Sequence, residues 1–272
     1  MGLEAVCAIA VMAKAPRPGQ VKTRLQTVLG PLEAAAMSAA FLRDVTANIQ
    51  AAAAQAPIHG FLAYAPSGME ARFDGLLAPG TELVLADGTA GDAEGVEGFG
   101  RCLLHATRAL LARGYGAACV LNADSPTLPT ALLVQAARHL LVPDRRAVLG
   151  PADDGGYWLL GMQAVEPGLY ARIAWSSDGV AAATARRAEE IGLPLHVLDS
   201  WFDVDDRAGL ERLVGDLAAL DSPASARLSA RPARKQELVN SRPNRPFPAP
   251  ATAACIATLR LAERLRSALS GA

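Results

Sequence analysis

Four cations fall within the short stretch VMAKAPRPGQVKTRL, residues 11–25: Lys14, Arg17, Lys22 and Arg24. They follow an apolar run, residues 5–13, that reads as a buried strand. Buried cations without partners are costly, so the loop is either a solvated turn or a device for holding an anion. Lysine supplies a mobile point charge and arginine a planar bidentate fork, a mixture suited to a polyphosphate. Pro16, Pro18 and Gly19 shape the loop. It is not a P-loop, because G-x-x-x-x-G-K-[ST] is missing and GQVKT only imitates its end. The first turn also lacks the dinucleotide fingerprint G-x-G-x-x-G.

Acids occur at two further strand ends. Asp124, in LNADSPTLP, ends a strongly apolar run and precedes a turn stiffened by Pro126 and Pro129. A carboxylate there either binds a hard divalent cation beside phosphate oxygens or caps the next turn. The stretch WFDVDD, residues 201–206, offers Asp203, Asp205 and Asp206. Alternation along an extended segment puts Asp203 and Asp205 on one face, and Asp206 is placed to cap the following helix. A fourth candidate, GPADDGGYWLLG, has Asp153 and Asp154 beside Gly155 and Gly156, which permit close backbone approach to a ligand or simply form a tight hairpin turn. Tyr157 and Trp158 read as packing. The acidic loop of residues 88–100, with Glu94 and Glu97, reads as flexible.

The elements that must position these groups alternate between strands and helices, the signature of an α/β sheet. Strands are expected at 5–13, 58–65, 81–87, 116–124 and 193–199, with helices over 32–54, 101–114, 130–141, 179–191 and 206–219. Two strand-like runs flank ADDGG with no room for a helical crossover, so the sheet is expected to be mixed. In open sheets of this kind ligands gather at the carboxyl ends of strands, where the basic loop, Asp124 and Asp205 all fall. Residues 221–250 are rich in Ser, Pro, Arg and Asn and read as a linker or wrapping tail. Residues 251–272 regain helical spacing, with Cys255, Leu259, Ala262, Leu265 and Leu269 on one face. Such a helix is expected to dock on its own domain, or on a second copy in a homodimer.

The composition narrows the function. The 272 residues are 51% hydrophobic but only 5% aromatic, so Ala, Leu and Val must fill the core. A formal net charge of -1 offers no global attraction to nucleic acid or an anionic membrane. No run approaches the roughly 20 apolar residues of a membrane helix. Glu4 stands where a signal peptide needs positive charge, and Val6 where myristoylation needs Ser or Thr. A cytoplasmic protein is the default. Cys7, Cys102, Cys119 and Cys255 are scattered, as are His59, His105, His139 and His196, which argues against a disulfide framework or a zinc site.

MAKAPRPGQVKTRL, NADSPTLP, GPADDGGYWLLG, WSSDGV and DVDDRAGL together resemble, in order, the motifs of a bacterial family of glycosyltransferase-like proteins. These are the radical-SAM/selenodomain-associated transferases, or DUF2064. The family lies in the nucleotide-diphospho-sugar transferase superfamily, and more distantly the chain is similar to 2-phospholactate and molybdenum cofactor guanylyltransferases. The resemblance implies a GT-A three-layer α/β sandwich over residues 1–220. It implies that Lys14, Lys22 and Arg24 contact nucleotide phosphates, with Arg17 in the same loop, and that Asp124 and Asp205 hold Mg²⁺ or Mn²⁺. It also implies that Asp154, Gly155 and Gly156 serve the acceptor, and it matches Trp175, Ser176 and Ser177 to an element without an assigned role. This chain has DDRAG where the family shows DTPED, and the terminal helix lies outside the resemblance.

The expected activity is transfer from a bound nucleotide to a small-molecule acceptor. In nucleotidyl transfer, Lys22 and Arg24 would stabilise the charge on a departing pyrophosphate. In glycosyl transfer from a nucleotide sugar, Asp154 would be a general base. A nucleotide-binding protein without turnover is the remaining alternative.

Overall fold

The apolar run after Glu4 forms the strand β1, Cys7–Lys14, on which the sheet is built. This computed structural model describes residues 2–220 and 244–270. Beside β1 lie β2 (Ile58–Ala65) and β4 (Ala117–Leu121), both parallel to it. The sheet also contains β3 (Glu82–Leu85), β5 (Ala147–Pro151), β6 (Tyr157–Met162) and β7 (Leu195–Val197), in the order β3-β2-β1-β4-β6-β5-β7. Only β6 runs against its neighbours β4 and β5. The ADDGG connection is therefore a hairpin, and the sheet is mixed and mostly parallel as expected.

Helices α1 (Pro31–Ala53) and α3 (Thr130–Leu140) cover one face; α2 (Phe99–Leu111) and α4 (Val180–Glu190) cover the other. The period-2 pattern of β1 divides its residues between them. Cys7, Ile9 and Val11 enter the cluster with Leu42, Val45 and Ile49 of α1, whereas Ala8 and Ala10 meet Leu103, Leu104 and Leu110 of α2. Small side chains on that second face let α2 lie close. No helix among the described residues is long and apolar enough to cross a membrane.

Helix α1 is apolar on two sides. Away from the sheet, Met37 and Phe41 meet Leu25 and Leu29 of the basic loop and Leu210, Leu213 and Leu217 of α5 (Arg207–Leu220). The terminal segment closes this third cluster, as α6 (Pro250–Thr258) and α7 (Leu261–Ser270). One continuous helix was the expectation for 251–272; there are two, parted at Arg260, whose φ is +51°. The reason is burial. Ile256 and Leu261 are five residues apart, which in one helix would turn them to different sides, and the break lets Ile256, Leu261 and Leu265 all enter the cluster. Leu269, also assigned to the apolar face, has its side chain outside the described residues, as does most of the expected linker, 221–243.

What precedes α6 is tied down. Phe247 donates its N–H to the Thr127 carbonyl at 3.0 Å, and Asn244 bonds Asp199 at 2.7 Å. Asp44 of α1, almost wholly buried, accepts the N–H groups of Ala251 and Thr252 at 3.0 and 2.6 Å. It thus satisfies donors that the start of any helix leaves open. Burial pushes its carboxyl up, against the pull of the Thr252 and Ala251 hydrogen bonds. Asp44→Ala strands both N–H groups and is expected to cost about 1–3 kcal/mol in urea denaturation. A variant as stable as wild type would show that α6 is held by its apolar face alone.

Candidate active site

Strands β1 and β4 pair in register with Val11 opposite Leu121, so their following loops leave the sheet at the same edge. The loop after β4 is braced internally. Asn122 donates its N–H to the Trp158 carbonyl at 2.9 Å, and its side-chain amide donates to Ser125 Oγ at 3.2 Å. Asn48 of α1 donates to Leu128 O at 2.6 Å and accepts from Thr130 at 2.6 Å. Two bonds then join this loop to the stretch beyond β7: Ser125 Oγ to the Phe202 carbonyl, and the Val204 N–H to the Asp124 carbonyl, each 2.9 Å. Asp206 caps α5 through the Gly209 N–H at 2.9 Å, as expected. Asp205 is thereby fixed beside Asp124 by hydrogen bonds of the residues on either side, Val204 and Asp206.

The Lys22 ammonium lies between the two acids. Its Nζ is 2.8 Å from Asp124 Oδ1, 2.9 Å from Asp205 Oδ1 and 2.8 Å from the Val204 carbonyl, and it sits 5.4 Å from the Phe41 ring centroid. The lysine side chain is 5% exposed, the two carboxylates 34% and 40%. Burial alone would lower the lysine pKa, but the facing carboxylates hold it above its ordinary value. Burial and the neighbouring Asp205 push Asp124 up despite Lys22. The attraction of Lys22 outweighs burial at Asp205 and keeps it low. Lys22 reaches this position from a left-handed backbone, φ +49°, which an L-residue adopts at a cost of roughly 1–2 kcal/mol. Its three polar contacts offset that strain.

A cleft of about 410 Å³ opens over this group. Lys14, Lys22, Arg24, Asp124 and Asp205 all line it. Lys14 and Arg24 are exposed, and among the described residues neither side chain makes a hydrogen bond or ion pair. Arg17 lies next door, lining with Lys14 and Asp87 a second hollow of about 600 Å³. The structure therefore gathers five of the expected residues and leaves the others around them. Asp154 is exposed and accepts the Gly156 N–H at 2.8 Å; Asp153 pairs with Arg212 of α5 at 2.8 Å. Gly155, at φ +90°, must lack a side chain, since a Cβ there would meet the Asp178 carbonyl at 1.8 Å. Its own carbonyl accepts from Ala181 at the start of α4. Ser176 is exposed, Ser177 bonds the Ala174 carbonyl at 2.7 Å, and Trp175 packs against Phe99 and Gly100. Asp154, Gly155, Gly156, Trp175 and Ser176 are absent from the lining of the cleft.

Asp203 feels the charges of Asp154 and of both paired acids. Burial, then the charges of Asp154, Asp205 and Asp124, push its carboxyl up to about 6. Sequence reasoning missed Tyr64, Phe99 and Cys102 in the cleft wall and Asp87 in the adjacent hollow. Asp87 follows β3 as Asp124 follows β4, so the same strand-end rule would have found it. The acidic loop of residues 88–100 is also corrected: it is held, not loose. Arg108 bonds the carbonyls of Ala90 and Asp92 at 2.7 and 3.0 Å, and the Arg172 N–H bonds Gly95 O at 2.8 Å. Its anchors are distant in sequence, so its Gly-rich composition does not reveal them.

Lys22→Met leaves two adjacent carboxylates without their counter-ion and is expected to cost about 1–3 kcal/mol at neutral pH, discounted for their exposure. The sign of its pH dependence follows from Asp205. A carboxyl held low in the folded state stabilises above its ordinary pKa and loses that contribution as pH falls through the lowered one. The wild-type advantage should therefore shrink in acid. Urea denaturation of both proteins from neutrality to about pH 3, below the ordinary Asp value, checks this; a constant difference would mean that the ion pairs are not its source.

Comparison with known proteins bears on the whole arrangement. The family model described as "Uncharacterized protein conserved in bacteria (DUF2064)" matches residues 48–177. That span holds Asp124, Asp154 and Trp175 but not the basic loop or Asp205. No curated protein matches the chain in sequence. A solved structure of a candidate nucleotide-diphospho-sugar transferase from Desulfovibrio desulfuricans G20 is 26% identical, with a TM-score of 0.69 over 84% of this chain and 91% of that one. CMP:2-keto-3-deoxy-manno-octonic acid synthetase, complexed with CTP, is 10% identical, with a TM-score of 0.51 over 79% of this chain and 99% of its own. The DUF2064 family is thus matched across residues 48–177, and the chain has the fold of the nucleotide-diphospho-sugar transferases.

Proposed function

We propose that the protein is a metal-dependent nucleotidyltransferase. It would join the nucleotidyl group of a nucleoside triphosphate to a small phosphorylated acceptor and release pyrophosphate. The observation that carries this reading is one cleft in which unpaired Lys14 and Arg24 stand beside two carboxylates drawn together on a single ammonium. The transferase fold is the setting for it.

The acceptor phosphate attacks the α-phosphorus, and the bond to the bridging oxygen of pyrophosphate breaks. The acceptor is already an anion, so no group need remove its proton. The chain's task is to orient the triphosphate and to meet the charge that grows on the leaving group. Lys14 and Arg24 supply free donors for it, whereas Lys22 is committed to the acids and holds them together. Among the described residues no cluster of three or more His, Cys, Asp or Glu forms a cage. Asp124 and Asp205 would take a hard cation in place of the Lys22 ammonium, which holds an oxygen of each within 3 Å, as Mg²⁺ commonly takes one or two carboxylates plus phosphate oxygens. Mg²⁺ or Mn²⁺ bound by these two would neutralise phosphate charge.

Glycosyl transfer from a nucleotide sugar is the second reading, favoured by the likeness to a candidate nucleotide-diphospho-sugar transferase. Asp154 would then act on an acceptor hydroxyl. Measuring pyrophosphate release from each nucleoside triphosphate across a panel of phosphorylated acceptors, against nucleoside diphosphate release from nucleotide sugars, separates the two. Pyrophosphate is the expected product; nucleoside diphosphate alone would overturn the proposal. Arg24→Ala is expected to weaken nucleotide binding by about 1.5–3 kcal/mol in calorimetric titration, more than an exposed ion pair is worth. Unchanged affinity would return the basic loop to a solvated turn.

A further inference from the structure

Phe99 stands at the first turn of α2 with half its surface in solvent, and it lines the same cleft as the paired acids. Every other Phe, Tyr and Trp of the chain is buried or only partly exposed. An exposed aromatic ring in a chain this poor in aromatics needs a reason, and its surroundings suggest one. Phe99 lies between Gly98 and Gly100, and Gly100 leaves room for Trp175 behind it. A Cβ at Gly100 would come within 2.8 Å of the Trp175 ring. The two rings meet edge to face, 5.9 Å apart at 87°, a favoured aromatic geometry. The indole N–H of Trp175 is buried without a hydrogen-bond partner, so hydrogen bonding does not explain where the tryptophan sits. Its packing against Phe99 and α2 does. The result is a flat apolar ring, held from behind, in a cleft that also carries Lys14, Arg24 and two acids.

We propose that Phe99 is the platform on which the base of the nucleotide stacks, with Trp175 as its positioning residue. The inference rests on the nucleotide reading of this cleft and deepens it. A ligand with a planar apolar part and an anionic part matches a wall that pairs a fixed aromatic ring with free cations. Stacking needs only a π-face, so this platform would favour nucleotides over bare polyphosphate without choosing among bases. It also gives the Trp-Ser-Ser element a function at a distance from the reacting groups, consistent with its absence from the cleft lining.

Calorimetric titration of the full chain with nucleoside triphosphates and with inorganic tripolyphosphate, in the presence of Mg²⁺, tests this. Phe99→Ala should weaken triphosphate nucleotide binding roughly tenfold or more and leave tripolyphosphate binding unchanged, while Phe99→Trp keeps both. Trp175→Leu should reduce nucleotide binding selectively as well, a discrimination that a merely structural role would not produce. Phe99→Ala with unchanged nucleotide affinity, or with equal losses for both ligands, overturns the platform and leaves the nucleotide reading standing. A wild-type protein that takes tripolyphosphate but no nucleotide overturns both.

Discussion

Two carboxylates and one ammonium set the geometry on which the candidate site depends. Asp124 and Asp205 come from loops some eighty residues apart and would repel each other if brought together alone. Lys22 supplies the counter-charge, nearly buried and within 3 Å of each. At such distances in a partly desolvated setting the attraction is several times its value in water. The contact therefore ties the loop after β1, the loop after β4 and the approach to α5 into one unit. The left-handed backbone of Lys22 belongs to the same constraint. A residue without Cβ would sit there more easily, but only a long cationic side chain reaches both acids and the Val204 carbonyl.

The basic loop also needs support from behind. Leu25 and Leu29 anchor its short 3₁₀ turn in the cluster between α1, α5 and the terminal helices. Arg264 of α7 adds polar contacts there, donating to the Val28 carbonyl at 2.9 Å and pairing with Glu33 at the same distance. The terminal segment thus lies against the back of the loop whose front carries Lys14, Lys22 and Arg24. This gives these helices a physical connection to the cleft, although none of their described side chains lines it.

Much of this was legible because it depends on local pattern. The apolar runs and their alternation with helical spacing point to a mixed α/β sheet, and the rule that ligands gather at carboxyl ends of strands singles out the basic loop, Asp124 and Asp205. The rest depends on contacts between distant residues, which local pattern does not carry. Lys22 reads as a free phosphate donor until its partners from two other loops are seen. Residues 88–100 read as loose because Arg108 and Arg172, which hold them, belong to other segments. The break at Arg260 has no glycine or proline to announce it; it follows from where the third cluster needs Leu261. Phe99 was hidden for the opposite reason, since an aromatic at a helix start is ordinarily buried.

The same geometry bears on which transfer the site is suited to. Sugar transfer to a hydroxyl asks for a base poised beside the donor, and Asp154 is the nearest candidate by motif. Yet Asp154 is exposed, accepts a backbone N–H from Gly156, and stands outside the cleft lining. Burial and then the charges of Asp154, Asp205 and Asp124 make the half-buried Asp203 hold its proton more tightly than an ordinary aspartate. A reaction whose nucleophile arrives as an anion needs no such base. It needs positive charge at the phosphates, and the cleft holds that charge in Lys14 and Arg24, neither paired with another described residue.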